Sequence, residues 1–224
     1  MGARRGPLIV FEGPEGVGKT TQVGRLAARL AAAGVPHAAL REPGGSALGE
    51  RVRGLVLDPA LDVHPRAEAL LFLAARAQLM DEVRDRQARG EIVLLDRFFL
   101  STYAYQVGGR QLPEDAIRGA NAFATDGLRP DLTILLSYPA HAGLARVDRR
   151  GERDRMERAG ADFHARVAAA FELFQDRAWQ DAHPETGPIA AVDAWGTEDE
   201  VAARVADVLA ARWPETFPPT RGSE

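Results

Sequence analysis

Leu8-Ile9-Val10-Phe11-Glu12-Gly13-Pro14-Glu15-Gly16-Val17-Gly18-Lys19-Thr20 is the stretch that decides the fold. Its first four residues form an apolar run between Pro7 and Glu12-Gly13, the length and composition of a strand buried on both faces. Gly13 to Thr20 then matches G-x-x-x-x-G-K-[ST]. From Lys19 to Ala33 the apolar positions Val23, Leu26, Ala27, Leu30 and Ala31 recur at three- and four-residue steps, which predicts an amphipathic helix ended by Gly34. Strand, glycine loop and helix in this order cradle a phosphate: backbone N–H groups and the positive helix end face the anion, and the Lys19 ammonium reaches the β- and γ-phosphates. The Thr20 hydroxyl is placed to ligate Mg²⁺. Lys19 is the only lysine among 28 basic residues, so its position inside this loop is itself informative. The loop predicts binding of a nucleoside triphosphate.

Outward from the loop, a second strand is expected near Pro36–Leu40, then helices at Ala47–Leu57 and Pro65–Arg89. Ile92-Val93-Leu94-Leu95 reads as another buried strand, and it ends in Asp96, where a carboxylate is presented to the same Mg²⁺. The adjacent Arg97 offers a phosphate contact at the strand's C-terminal edge, where open α/β sheets bind ligands. Further strands are expected at Leu132–Leu136 and Ile189–Val192, and helices at Pro113–Ala124, Ala161–Ala182 and Glu198–Arg212. Strands alternating with helices require right-handed crossovers, so the expected fold is α/β, a three-layer doubly wound parallel sheet. A single domain is expected over residues 1–213, with a fraying tail at 214–224 marked by Pro214, Pro218, Pro219 and Gly222.

The 224 residues carry 28 basic and 32 acidic side chains, a net charge of −4, which argues against nucleic acid or an anionic membrane as a main partner. The longest apolar run, Ala69 to Ala75, is far short of a bilayer span, and Met1–Pro7 lacks the apolar core of an export signal. A cytoplasmic location is expected. Absence of cysteine excludes disulfides, thiolate metal sites and a thiol nucleophile, and fits a reducing compartment. The five histidines show no paired metal-ligand spacing, and Trp179, Trp195 and Trp213 read as packing residues.

Several motifs, in order and spacing, give a closer resemblance. They are Phe11-Glu12-Gly13 with Gly18-Lys19-Thr20-Thr21-Gln22, Arg41-Glu42-Pro43-Gly44-Gly45, Leu71-Phe72-Leu73-Ala74-Ala75-Arg76-Ala77-Gln78, Asp96-Arg97 with Ser101-Thr102 and Ala104-Tyr105-Gln106, and Arg150-Gly151-Glu152 with Asp154-Arg155-Met156-Glu157. With them the chain resembles the bacterial thymidylate kinase family over nearly its whole length. The resemblance implies transfer of the γ-phosphoryl group of ATP to dTMP with Mg²⁺, in a homodimer packed through helices. It implies ATP contacts from Gly13, Pro14, Glu15, Gly16, Val17, Gly18, Lys19, Thr20 and Thr21, and metal ligation by Thr20 and Asp96. Phe72 would stack on thymine and Arg76, one turn later on the same helix face, would bond the base. Thr102 and Gln106 would contact the base or its loop, and Ser101 belongs to the same substrate set. Tyr105 would lie beneath the sugar and exclude a 2′-hydroxyl, and Arg97 would hold the acceptor phosphate. Glu15 falls at an acidic loop position associated with the acceptor sugar or the metal, Pro43 lines the acceptor site, and Arg53 is a phosphate contact.

Six arginines lie between Arg146 and Arg158, a lid over about 146–158 able to bring guanidinium groups onto the transferring phosphoryl. The loop positions Pro14 to Val17 carry no basic residue, so the transition-state arginine is expected from this lid. Arg150 and Arg155 match the family best, with Arg149 and Arg153 also open. Phe98, Ser137 and Arg153 depart from the family's commoner residues. The alternatives are a kinase for another nucleotide or for a nucleoside, whose hydroxyl acceptor would need a base such as Glu12, and a GTP-binding switch. The switch needs an Asn-Lys-x-Asp base reader, which a chain whose one lysine sits in the phosphate loop does not contain.

Overall fold

The structure is a computed structural model and describes residues 5–138 and 154–217. Five strands, β1 Leu8–Glu12, β2 His37–Arg41, β3 Ile92–Asp96, β4 Leu132–Ser137 and β5 Ile189–Asp193, form one parallel sheet in the order β2-β3-β1-β4-β5. The register pairs Phe11 with Asp96 and Glu12 with Leu135, so the phosphate loop leaves the sheet at the level where Asp96 ends β3. The chain winds to one side of β1 for β2 and β3 and to the other for β4 and β5. The C-terminal ends of β1 and β3 therefore flank the switch point where such sheets bind ligands.

Alternation along each strand divides the core. Leu8, Val10, Val93 and Leu95 face one side, where they meet Leu79, Met80 and Val83 of α3 (Pro65–Ala88). Ile9, Phe11 and Leu94 face the other, against Leu26 and Leu30 of α1 (Lys19–Ala32) and Val205 and Leu209 of α8 (Glu198–Arg212). Each fully buried leucine contributes about 1.5–3 kcal/mol. Helix α2 (Ala47–Leu57) starts at Ser46, whose hydroxyl accepts from the Gly49 N–H, and α8 starts in a capping box of Thr197 and Glu200.

Four expectations are corrected. The helix expected over Ala161–Ala182 is two, α6 (Ala161–Leu173) and α7 (Arg177–Ala182), because the Asp176 carboxylate accepts from the N–H groups of Ala178 and Trp179 and starts a new helix. Residues after Asp96-Arg97, given no helix in the sequence reading, form α4 (Phe99–Thr102), which runs on as a π-helical segment, Tyr103–Gly109. A Cβ on Gly109 would lie 2.5 Å from the Phe163 ring, so glycine is what lets α6 pack onto this segment. Trp195, expected to pack, is 57% exposed: it follows buried Ala194 on a turn where Arg204 donates to the carbonyls of Asp193 and Trp195. Ordered packing also runs past the expected boundary at Trp213, since Phe217 is 2% exposed and its N–H donates to the Trp213 carbonyl at 2.8 Å. A further helix, α5, spans Glu114–Thr125.

Candidate active site

The phosphate loop requires glycine at its entrance. Gly13 has φ +141°, and a Cβ there would lie 2.3 Å from the Leu136 carbonyl oxygen of β4. Buried Lys19 donates from Nζ to the carbonyls of Gly13 and Pro14, both at 2.8 Å, so the ammonium spans its own loop. Burial, and then the Arg97 charge, push its pKa down to about 7, against the pull of Asp96, Glu12 and Glu15. Thr20 Oγ1 donates to Asp96 Oδ2 at 2.6 Å, which brings together the two residues assigned to the metal. Asp96 Oδ1 is buried with no hydrogen-bond partner among the described residues. An orphaned carboxylate oxygen beside a hydroxyl is a hard oxygen donor set of the kind Mg²⁺ takes, so these residues fit that ion.

Beside the loop lies a cleft of about 670 Å³, part of it open to solvent. Glu15, Pro43, Arg53, Phe72, Arg76, Arg97, Ser101, Thr102, Tyr105 and Gln106, the ten residues that the resemblance assigns to the acceptor, all line it. They come from five separate stretches of chain. Arg53 donates to the Pro43 carbonyl at 3.2 Å, and Phe72 packs against Val52, Val56 and Ala75. Arg76 is 4% exposed and fully engaged: Nε and Nη2 donate to Glu42 Oε2, Nη2 also to the Phe98 carbonyl, and Nη1 to Thr102 Oγ1 and Asn121 Oδ1. All five guanidinium N–H donors are thereby used within the protein. Burial pushes the Glu42 carboxyl up from its ordinary value, while Arg76 pulls it back in part.

Arg97 has φ +72°, a left-handed conformation that costs a side-chain-bearing residue about 1–2 kcal/mol. Its Nη1 donates to Ser101 Oγ at 3.2 Å, and its guanidinium carbon lies 5.3 Å from the centre of the Tyr105 ring. Burial opposes its charge, but Tyr105, Asp96 and Glu12 hold its pKa above the ordinary arginine value. Glu15 meets Asp154 and Glu157, with one oxygen of each within 4.8 Å of the others. Burial, then a hydrogen bond to the Glu157 side chain, push the Glu15 carboxyl up to about 7 against the Arg97 charge.

Arg155 is not turned to the loop. It donates from Nε to the Val56 carbonyl at 2.8 Å and from Nη2 to the fully buried Glu68 at 2.7 Å. Glu68 also accepts from Gln106 and Arg110. Arg149, Arg150 and Arg153 lie outside the described residues. The sequence reading gave no site role to Glu42, Leu57, Asp154 and Met156 on the cleft wall, nor to Glu68 and Asn121, which support Gln106 and Arg76 of that wall. Glu12 carried a signal, a charge ending an apolar strand, and it was considered only as a base. Here it is fully buried and accepts three hydrogen bonds, from Phe98 N–H, Ser101 N–H and Ser101 Oγ.

The family model described as "Thymidylate kinase" matches residues 11–189. Among curated relatives carrying that same name, one from Deinococcus radiodurans is 47% identical over 202 residues, covering 90% of this chain and 95% of its own. One from Carboxydothermus hydrogenoformans is 47% identical over 175 residues, covering 77% and 86%. One from Pseudomonas fluorescens is 49% identical over 168 residues, covering 74% and 80%.

Proposed function

The chain belongs to the thymidylate kinase family, and from that membership we infer that it transfers the γ-phosphoryl group of ATP to dTMP, giving dTDP and ADP. The observation that carries the reading is the convergence of ten acceptor candidates on one cleft beside the phosphate loop. Two anionic groups meeting there need charge stabilisation and alignment more than covalent help. Loop N–H groups and Lys19 hold the donor phosphates, and Arg97 at the end of β3 holds the acceptor phosphate across from them. Phe72 and Tyr105 supply apolar faces for base and sugar. Thr20 and Asp96 would hold Mg²⁺, which would supply charge neutralisation at the donor phosphates. The resemblance brings Arg150 to the transferring phosphoryl. The ion pair of Arg155 with Glu68 favours an anchoring role for Arg155 in the conformation described.

No general base is required, because the acceptor phosphate is already an oxyanion at neutral pH. This separates the reading from that of a nucleoside kinase, since both carboxylate oxygens of Glu12 are committed to residues 98 and 101 and the side chain is closed off from solvent. Steady-state rates across dTMP, dUMP, the ribonucleotide counterpart of dTMP, dGMP and AMP test the assignment, and preference for a purine would overturn it. Tyr105→Ala is expected to relax discrimination against ribose, and unchanged sugar selectivity would remove Tyr105 from that role.

We propose further that the protein is a homodimer. Helices α2, α3 and α5 pack side by side and leave Leu48, Leu55, Leu70 and Phe123 exposed, the last by 89%, an apolar surface that a second copy would cover. No described helix is long and apolar enough to cross a membrane. Together with the lack of cysteine, this supports a cytoplasmic enzyme.

A further inference from the structure

Glu12 is the last residue of β1, immediately before the phosphate loop, and its side chain is 0% exposed. It does not line the acceptor cleft. A carboxylate taken out of water persists only if donors replace the lost hydration, and among the described residues the donors to Glu12 belong to the segment that follows Arg97. Oε1 accepts from the backbone N–H of Phe98 at 2.7 Å and of Ser101 at 2.9 Å, and Oε2 accepts from the Ser101 hydroxyl at 2.7 Å. These bonds fix the backbone on the C-terminal side of Arg97. On its other side, the Arg97 N–H donates to the Phe11 carbonyl at 3.0 Å. The left-handed conformation at Arg97 is thus clamped from the end of β1 on both sides.

The hydroxyl adds polarity to the clamp. Because the Ser101 proton is committed to Glu12, its lone pairs are turned outward, and one accepts from Arg97 Nη1 at 3.2 Å. We propose that Glu12 is a positioning residue for the acceptor phosphate. Through Ser101 and the backbone of residue 98 it sets the Arg97 guanidinium over the Tyr105 ring, facing the cleft, without touching substrate. This rests on the reading of the cleft as the dTMP site.

The test separates phosphate recognition from general stability. Calorimetric titration of the full chain with dTMP and with thymidine, which lacks the phosphate, measures how much affinity the phosphate adds. Glu12→Gln keeps an amide oxygen for the two backbone donors but turns N–H groups toward Ser101. The phosphate's advantage is expected to fall at least about tenfold, with thymidine binding changed less than about twofold. In an Arg97→Ala background, where that advantage is already lost, Glu12→Gln is expected to add little. Equal weakening of both ligands, as a merely structural role predicts, or an intact phosphate advantage, would overturn the inference. If Glu12→Gln does not fold, Ser101→Ala decides: its loss of phosphate affinity must vanish in the Arg97→Ala background, and a loss that persists there overturns the relay. A parent protein that binds neither ligand overturns the acceptor reading itself, and this inference with it.

Discussion

Truncating Glu42 to alanine would leave Arg76 as a buried cation without its counter-ion. In the intact protein Oε2 accepts from Nε at 2.8 Å and from Nη2 at 2.5 Å, and the two side chains are 7% and 4% exposed. In Glu42→Ala the guanidinium keeps three neutral acceptors, Thr102, Asn121 and the Phe98 carbonyl, and loses the only negative charge that bonds it among the described residues. Breaking a buried pair from one side costs about 3–5 kcal/mol. For a chain of this size each kcal/mol lowers the melting midpoint by about 2–4 °C, so a fall of about 6–20 °C is expected. Burial raises the Glu42 carboxyl against the pull of Arg76, and replacing a buried ion pair by apolar residues of similar volume is often neutral or stabilising. Removing both charges with apolar residues of similar volume, Glu42→Leu with Arg76→Met, is therefore expected to restore most of the lost stability. Urea and thermal unfolding of the single and double variants are the assay. A single variant within about 1 kcal/mol of the parent, or a double variant worse than the single, refutes the reasoning.

Lys19→Ala is expected to lower kcat/KM by about 10²–10³-fold or more, since it removes the cation at the donor phosphates; a loss under tenfold would contradict that placement. Glu15, whose carboxyl is pushed from 4.5 to about 7, binds its proton more tightly folded than unfolded, so its contribution to stability declines as pH rises from about 4.5 through about 7. Melting midpoints of the parent should accordingly fall more steeply over that window than those of Glu15→Gln, and parallel curves would count against the raised Glu15 carboxyl. Phe123→Asp is expected to convert a dimer to a monomer in light scattering, and an unchanged mass would place the dimer interface elsewhere.

What the sequence made legible was local. Strand, loop and helix from Leu8 to Ala33 could be read because each element declares itself within a few residues, and the spacing of Phe72 and Arg76 lies on one turn of one helix. The partners of Arg76 could not be read, because Glu42 is 34 positions away and Asn121 45 positions away, and no periodicity links them. Glu68 is hidden for the same reason, sitting in an apolar stretch while its cations arrive from positions 110 and 155. The segment Phe99–Gly109 escaped because wide π-helical turns and paired glycines blur the helical period. Asp176 broke a helix whose apolar pattern ran straight through it, since the competing cap is a side-chain choice that periodicity does not register.

The saturated guanidinium of Arg76 has a consequence for inhibitor chemistry. A compound that presents an oxygen to that floor enters no vacancy; it must share a hydrogen already taken by Thr102 or Asn121, and gains only the difference between two similar bonds. Because the floor is frozen beforehand, little further freedom is lost when a ligand docks on it. Potency in this cleft is better sought along the greasy wall of Leu57, Phe72 and Met156, where displaced water, not a new polar contact, provides the drive.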